Sequence, residues 1–296
     1  MPLLEESIGL ALDRILVATD FSEPSELATQ YGRALARRFS SSLVLTHVVD
    51  LSVETRSERD CLGVPIDEMR HIGSLNMERA LLDLSNSGLR ASGQTLEAHN
   101  PSAAIVGLAQ QLKVDLIVMG THARSGLHRA IFGSCAESVI RHAACPVLTV
   151  GPLAPPAKER FSFSSILFAT ALQHDAAEKA AIALAIAKDS SAKVHLCYAL
   201  EKPGDNITHT LEDQLQCEET LRRLVPETAY ERCSGECIVE HGDAATHILQ
   251  LAAKLEADLI ILGARRSKYW LATFSKGVVG HVLANAGCPV MTVCTT

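Results

Sequence analysis

The stretch with the clearest capacity for chemistry is GTHARSGLHRAIFGSCAESVIRHAACPV, residues 120–147. It leaves an apolar run, DLIVMG (115–120), and reaches Gly133-Ser134 just before a segment with helical spacing near 134–142. Glycines let a backbone turn its N–H groups inward with no Cβ in the way. Successive N–H groups of that kind form a concavity for anions. A helix that starts at Ser134 adds unsatisfied N–H groups and the positive end of its dipole. Ser134 can cap that helix or donate its hydroxyl to a phosphate oxygen. The same residues also fit a plain strand–loop–helix connection closed by a serine, and spacing alone does not separate the two. His122, Arg124 and Gly126 share the loop. Arg124 either offsets phosphate charge or is a solvated loop arginine.

The elements that must position this loop occur twice. VDLIVMG at 114–120 returns as ADLIILG at 257–263, and AACPVLTV at 143–150 returns as AGCPVMTV at 286–293, both at an offset of 143. RILVATD at 14–20 aligns with SILFATA at 165–171 at an offset of 151, so the second copy has lost a net eight residues in its middle. A shared register of this length identifies an internal repeat. The join is GPLAPPAKER, 151–160, which is rich in proline and polar residues. The chain therefore divides into a first domain over 1–151, a linker over 152–160 and a second domain over 161–296.

Each copy alternates strands and helices. In the first, ILVAT (15–19) predicts a buried strand, and the apolar stripe within Glu23–Phe39 predicts a helix. LVLTHVV (43–49) is the second strand, followed by a helix over roughly 67–87 that ends at Gly88. TLEA (95–98) predicts a short strand, Ala103–Leu112 a helix, DLIVMG a fully apolar strand, and PVLTV the closing one. Strands that are apolar throughout, separated by helices, predict a parallel sheet covered on both faces. The fold class is α/β: two tandem doubly wound domains, each with a five-stranded, mainly parallel sheet. Ligands of such folds bind beyond the carboxyl ends of the strands.

The loop resembles the signature of ATP-binding universal stress proteins: a glycine, two residues, a glycine, nine residues, then glycine with serine or threonine. Here it reads Gly120, Thr121-His122, Ala123, the nine residues 124–132, and Gly133-Ser134. VATDFS (17–22), HVVD (47–50) and the terminal CPVLTV are also similar to the family, and the likeness runs through both copies. The resemblance implies an adenine nucleotide alpha hydrolase-like fold. It implies that Gly120, Gly133 and Ser134 help hold phosphates, that Asp20 lies beside the ribose or adenine, and that the backbone of Val48 meets the adenine edge. Ala18, Thr19, Met119 and Cys135 adjoin these positions. The cofactor implied is ATP with Mg²⁺. Ala123 departs from the pattern, because the family has a glycine there. If the position needs φ > 0, alanine costs about 1 kcal/mol or more. If φ is negative, the methyl group only crowds a phosphate.

The second copy departs further. Gly263 keeps the first glycine, but Arg266 stands at the second and Lys276-Gly277 at the closing pair. Ala171 replaces Asp20 and Ala199 replaces Val48. A shift that gives Gly277 the glycine role is the alternative, and the equal spacing to Cys145 and Cys288 argues against it. Arg265, Arg266, Lys268 and Lys276 are either an anion site of another design or a solvated loop. By resemblance this copy is a dimer partner, with PVLTV and PVMTV pairing inside one chain.

Other features narrow the function. The balance of 27 basic against 34 acidic residues gives a net charge of −7, with no electrostatic footprint for nucleic acid or an anionic membrane. Glu5, Glu6 and Asp13 are unlike a signal peptide, and nine cysteines fit reduced thiols in a cytoplasmic chain. Cys61 is a candidate exposed thiol, while Cys145 and Cys288 start equivalent strands. Cys233, Cys237 and His241 lack the tighter pairs and four ligands of a zinc site. HIGS at 71–74 has no partner lysine motif, and no Walker loop or Ser–His–Asp pattern stands out. The reading is a nucleotide-binding stress-response regulator with one adenine nucleotide site, slow turnover or none, and an unidentified regulatory protein partner; a homodimer is open to it. A slow ATPase or autophosphorylating enzyme and a scaffold that binds no nucleotide are the rivals.

Overall fold

The computed structural model describes residues 12–52, 65–121, 133–158, 161–200, 211–225, 236–264 and 277–294. They form two compact units that divide between Phe161 and Ser162. The first unit runs β1 (Arg14–Ala18), α1 (Glu23–Phe39), β2 (Ser42–Asp50), α2 (Ile66–Asn86), β3 (Ala91–Ala98), α3 (Pro101–Leu112), β4 (Leu116–Gly120), α4 (Ser134–His142) and β5 (Val147–Val150). The second runs β6 (Ser165–Ala169), α5 (Ala176–Ser190), β7 (Lys193–Leu200), α6 (Leu211–Arg223), β8 (Cys237–His241), α7 (Ala244–Lys254), β9 (Leu259–Ala264), α8 (Val278–Asn285) and β10 (Val290–Cys294).

The strand orders are β3-β2-β1-β4-β5 and β8-β7-β6-β9-β10, with parallel pairing within each unit. The chain winds outward from β1 to β3 and then returns to β4 on the other side. The two windings part between β1 and β4, where an open parallel sheet leaves a crevice. The apolar runs fill the centre: Ile15, Leu16, Val17, Ile117 and Val118 have no exposed surface. Such strands are buried on both faces because helices cover both.

Local chemistry sets the element ends. Helix α1 carries Glu23 and Glu26 in its first turn and Arg37 and Arg38 in its last, which complements its dipole. Helix α3 begins at Pro101, two residues before the apolar spacing suggests. Asn100 is its N-cap and accepts the Ala103 N–H at 3.1 Å, while proline loses nothing at a first helical position. Strand β3 starts at Ala91, four residues before TLEA. Its early residues are poor strand formers, but the ladder from Leu43↔Ala91 to Asp50↔Ala98 overrides that weak local preference. The proline-rich join is partly anchored to the first unit. Tyr31 donates its hydroxyl proton to the Pro155 carbonyl at 2.8 Å and meets the Phe161 ring edge-on.

No helix among the described residues is long and apolar enough to cross a membrane. Cys135, Cys197, Cys217 and Cys288 take part in no disulfide. Cys237 and His241 bound β8, Cys233 and Cys61 lie outside the described residues, and no metal-holding cluster occurs among the described ones.

The second core contains an unusual side chain. His195 pairs in register with Leu167, where the first unit pairs Val44 with Leu16. It is 8% exposed, and its Nδ1 has no hydrogen-bond partner among the described residues. Burial lowers its pKa from the ordinary 6.5, nearby Lys193 lowers it further, and Glu236 opposes both. The unfolded chain therefore takes up this proton first. Stability from this group is complete above pH 6.5 and declines as pH falls below it. A His195→Val variant is expected to lose that acid-side decline, which denaturant titrations on either side of this pH measure.

Candidate functional site

At the carboxyl ends of β1 and β4 lies a cavity of about 520 Å³, inside the roughly 300–1,000 Å³ span of small-molecule sites. Its wall takes Ala18, Thr19 and Asp20 from the end of β1, Met119 and Gly120 from β4, and Gly133, Ser134 and Cys135 from the start of α4. Val48 supplies part of the β2 side. These nine are the described members of the set singled out from sequence. His122, Ala123, Arg124 and Gly126 lie outside the described residues.

The wall also contains Ser25, Thr46, Asp50, Pro101, Ile105 and Ala136, which sequence reasoning missed. Two of them were within reach of it. Once Val48 faces the site, the period of two along a strand places Thr46 and Asp50 on the same face. Pro101 and Ile105 form an i, i+4 pair on α3, an apolar surface opposite the polar β1 end. The Thr46 hydroxyl is buried with no partner among the described residues.

The register of β2 explains what its main chain offers. Leu43 and Leu51 donate their N–H groups to Arg90 and Ala98, so odd-numbered residues bond towards β3. Ser42 donates to Asp13, and Thr46 accepts from Thr19 N–H at 2.8 Å, so even-numbered residues bond towards β1. That ladder stops at Thr19. Its next rungs would join Val48 N–H to the Thr19 carbonyl and Phe21 N–H to the Val48 carbonyl. Instead Phe21 N–H is taken by Thr19 Oγ1 at 3.0 Å, and the Thr19 carbonyl by His47 Nδ1 at 2.9 Å. The Val48 amide and carbonyl are therefore turned toward the side that β1 has vacated.

Around this gap the β1–α1 turn is tightly tied. Phe21 takes φ 60°, a left-handed conformation that costs a bulky residue about 1–2 kcal/mol. Thr19 Oγ1 and Ser25 Oγ are 3.0 Å apart, and Ser25 Oγ donates to the Ser22 carbonyl at 2.9 Å. Asp20 Oδ1 accepts the Ser22 N–H at 3.1 Å and the Ser22 hydroxyl at 2.5 Å. On the opposite wall, Ser102 links α3 to α4 through its 2.8 Å contact with Ser138.

Two expectations take a more definite form. Gly133, not Ser134, is the N-cap of α4; Ser134 is the first helical residue, so its hydroxyl does not cap. Gly120 is required by packing, not by a positive φ. A Cβ there would stand 2.6 Å from the Pro24 carbonyl oxygen and 3.0 Å from Ser25 N.

Among the described lining residues the charge is one-sided. Asp20 and Asp50 face the cavity, and the described lining residues include no lysine or arginine. Burial pushes the Cys135 thiol up to about 11, and the charges of Asp20 and Asp50 push the same way. The thiol is thus protonated at neutral pH and is a poor nucleophile.

The second unit repeats the frame with a different mouth. Thr170 N–H donates to the Cys197 carbonyl at 3.1 Å, which matches the Thr19–Thr46 rung, but Ala171 and Ala199 stand at the Asp20 and Val48 positions. At the place of Ala28, Lys179 is 3% exposed and pairs with Asp175 at 2.7 Å. Helix α8 starts at Val278 with Gly277 as its N-cap. The glycine at this helix start is therefore Gly277, one residue from the expected alignment, while the helix ends keep their offset at Ala143 and Ala286. Lys276, Arg265, Arg266 and Lys268 lie outside the described residues.

With this geometry established, comparison with known proteins gives the same frame. The model of the universal stress protein family matches residues 11–151 and 162–293. The chain belongs to the universal stress protein family. It is a tandem two-domain member. A universal stress protein of Methanocaldococcus jannaschii is 33% identical over 138 residues, 46% of this chain and 81% of that protein. Among solved structures, a universal stress protein from Archaeoglobus fulgidus superposes with a TM-score of 0.75 at 17% identity, covering 97% of this chain and 98% of that one. A functionally unknown protein from Pseudomonas aeruginosa gives 0.66 at 21%, covering 96% and 93%. At such identities these two structures speak for the fold.

The glycines at the ends of β4 and β9 give a paired test. Gly120→Ala drives a methyl group into main chain, which cannot yield cheaply, and is expected to cost about 1–3 kcal/mol. Gly263→Ala meets the Lys179 Cδ at 2.9 Å, a side chain and not main chain, and is expected to cost less. Denaturant unfolding of the two variants measures the difference.

Proposed function

We propose that the first unit binds ATP, accompanied by Mg²⁺, and that the chain acts as a nucleotide-responsive regulator in a stress response. One observation carries this reading: the β2 register turns the Val48 amide and carbonyl toward the cavity that also receives Asp20. An adenine edge offers one donor and one acceptor, and an adjacent N–H and C=O complement such a pair. The apolar side chains of Ile105 and Met119 would cover the ring faces. Asp20 would accept from ribose hydroxyls, and the buried Thr46 hydroxyl would gain a partner.

The phosphates would lie at the start of α4, where the N–H groups of Ser134 and Cys135 belong to the unsatisfied first turn of a helix. Ser134, released from capping, has a hydroxyl for the same oxygens. Asp20 and Asp50 at this wall suit the hydroxyls of the nucleoside end better than the phosphates. A magnesium ion on the triphosphate would offset charge that this wall does not, alongside Arg124 and His122 of the 120–133 loop. The role of Ala123 rests with the same loop.

A regulator is favoured over an enzyme by two features. Asp20 is engaged by Ser22 and suits binding better than proton abstraction, and the Cys135 thiol is held protonated. Binding would alter a surface seen by a protein partner. The second unit, with Ala171 and Ala199, is read as the pseudo-dimer partner on the strength of its repeated CPVMTV; an isolated first copy that scatters as a stable monomer would remove that part. A cytoplasmic location suits nine cysteines, of which Cys135, Cys197, Cys217 and Cys288 take part in no disulfide.

The test is a thermal-shift and calorimetric titration of the full chain with ATP and with AMP. ATP at about one hundred times its Kd is expected to add about 2.7 kcal/mol of stability. Asp20→Ala is expected to weaken binding about tenfold, the equivalent of one hydrogen bond to a charged group. No shift at millimolar ATP would leave the scaffold reading, and phosphate release above that of a Gly133→Lys variant would favour the enzyme.

A further inference from the structure

The turn that carries Asp20 is built twice in this chain, and the two versions differ at one brace. In the first unit Phe21 has φ 60° and donates its N–H to Thr19 Oγ1 at 3.0 Å. In the second, Leu172 has φ 51° and donates its N–H to Thr170 Oγ1 at 3.2 Å. The threonine bond thus recurs in both turns. Only the first unit adds His47. Its Nδ1 donates to the Thr19 carbonyl at 2.9 Å, and its ring lies 4.8 Å from that of Phe21. The second unit has Tyr198 at that register, next to Cys197 as His47 is next to Thr46.

His47 projects from the sheet face opposite to Thr46 and Val48 and is not part of the cavity wall. Space for its ring is provided by Gly73 on α2. A Cβ there would stand 3.0 Å from both Cδ2 and Nε2 of the imidazole. The ring thus grips Thr19 through its carbonyl and Phe21 through its side chain, the two neighbours of Asp20. Histidine and aspartate occur together in the first unit and are both replaced in the second, where the same turn persists without them.

We propose that His47 is a positioning residue of the nucleotide site, fixing the carboxylate of Asp20 toward the ligand by bracing the residues on either side of it. The inference rests on the nucleotide reading above, and it assigns His47 no contact with the ligand. A nucleotide would sense it mainly through Asp20, and to a smaller extent through the Thr19 carbonyl that His47 keeps from the Val48 amide.

A double-mutant cycle on the full chain tests this, with ATP affinity as the readout. His47→Ala is expected to weaken ATP binding about tenfold. His47→Asn, whose side-chain N–H lies near the place of Nδ1, is expected to recover most of that loss. In an Asp20→Ala background, His47→Ala is expected to cost much less. The proposal is overturned if His47→Ala binds ATP as the parent does, or if it weakens binding equally in both backgrounds. If the parent chain itself fails to bind ATP, the nucleotide reading falls, and the brace is then judged on ligand-free protein. There the Ser22 amide, bonded to Asp20 Oδ1 at 3.1 Å, should lose hydrogen-exchange protection in His47→Ala; retained protection overturns the positioning role as well.

Discussion

The hydrogen bond from Thr19 N–H to the Thr46 carbonyl is the last rung between the first two strands, and the site exists because the ladder ends there. A parallel sheet normally consumes the main-chain groups on both sides of every inner strand. Here β2 continues to Asp50 in register with β3, while its other neighbour has turned away after Ala18. The groups that would have continued the pairing are taken by side chains, Thr19 Oγ1 for Phe21 N–H and His47 for the Thr19 carbonyl. Unpaired buried main-chain groups are costly. Those of Val48 are tolerable because they open onto a cavity that water or a ligand can fill.

That interruption falls at the point where the sheet changes its winding direction. The order β3-β2-β1-β4-β5 parts the crossover connections between β1 and β4, which opens a crevice at the ends of those two strands. Gly120 tightens the same junction from the other side, since its missing Cβ lets β4 run against the first turn of α1. Main chain packed on main chain leaves little room to relax, which makes this junction a rigid base for the more exposed Asp20.

Duplication supplied two such junctions with different contents. Both keep the threonine turn, the left-handed residue after it and the final rung. The first places a hydroxyl, Thr46, and a carboxylate, Asp20, at its mouth. The second has Cys197, whose thiol burial pushes up to about 12, and Ala171 in those places. Lys179 brings a charged stem into the second core, where it stays buried by pairing with Asp175. A frame can thus be conserved within one chain while its site chemistry is not.

The sequence by itself determined the duplication, the alternation of strand and helix, and the parallel sheet, because its register repeats and its apolar runs such as LIVMG are too short for helices and are separated by helical stripes. The spaced glycine pattern also pointed to Gly133-Ser134, and resemblance to the universal stress protein family to Asp20 and Val48. It did not reveal that Gly133 rather than Ser134 caps α4, that β3 begins at Ala91, or that Gly120 is demanded by Pro24. Those depend on which segments meet in space. Tertiary structure alone decided that Pro101 and Ile105 of α3 join the β2 face at one wall, and that the His47 ring reaches the Thr19 carbonyl from behind the sheet. Register and helix placement bring together residues far apart in the chain, and no local pattern encodes that distance.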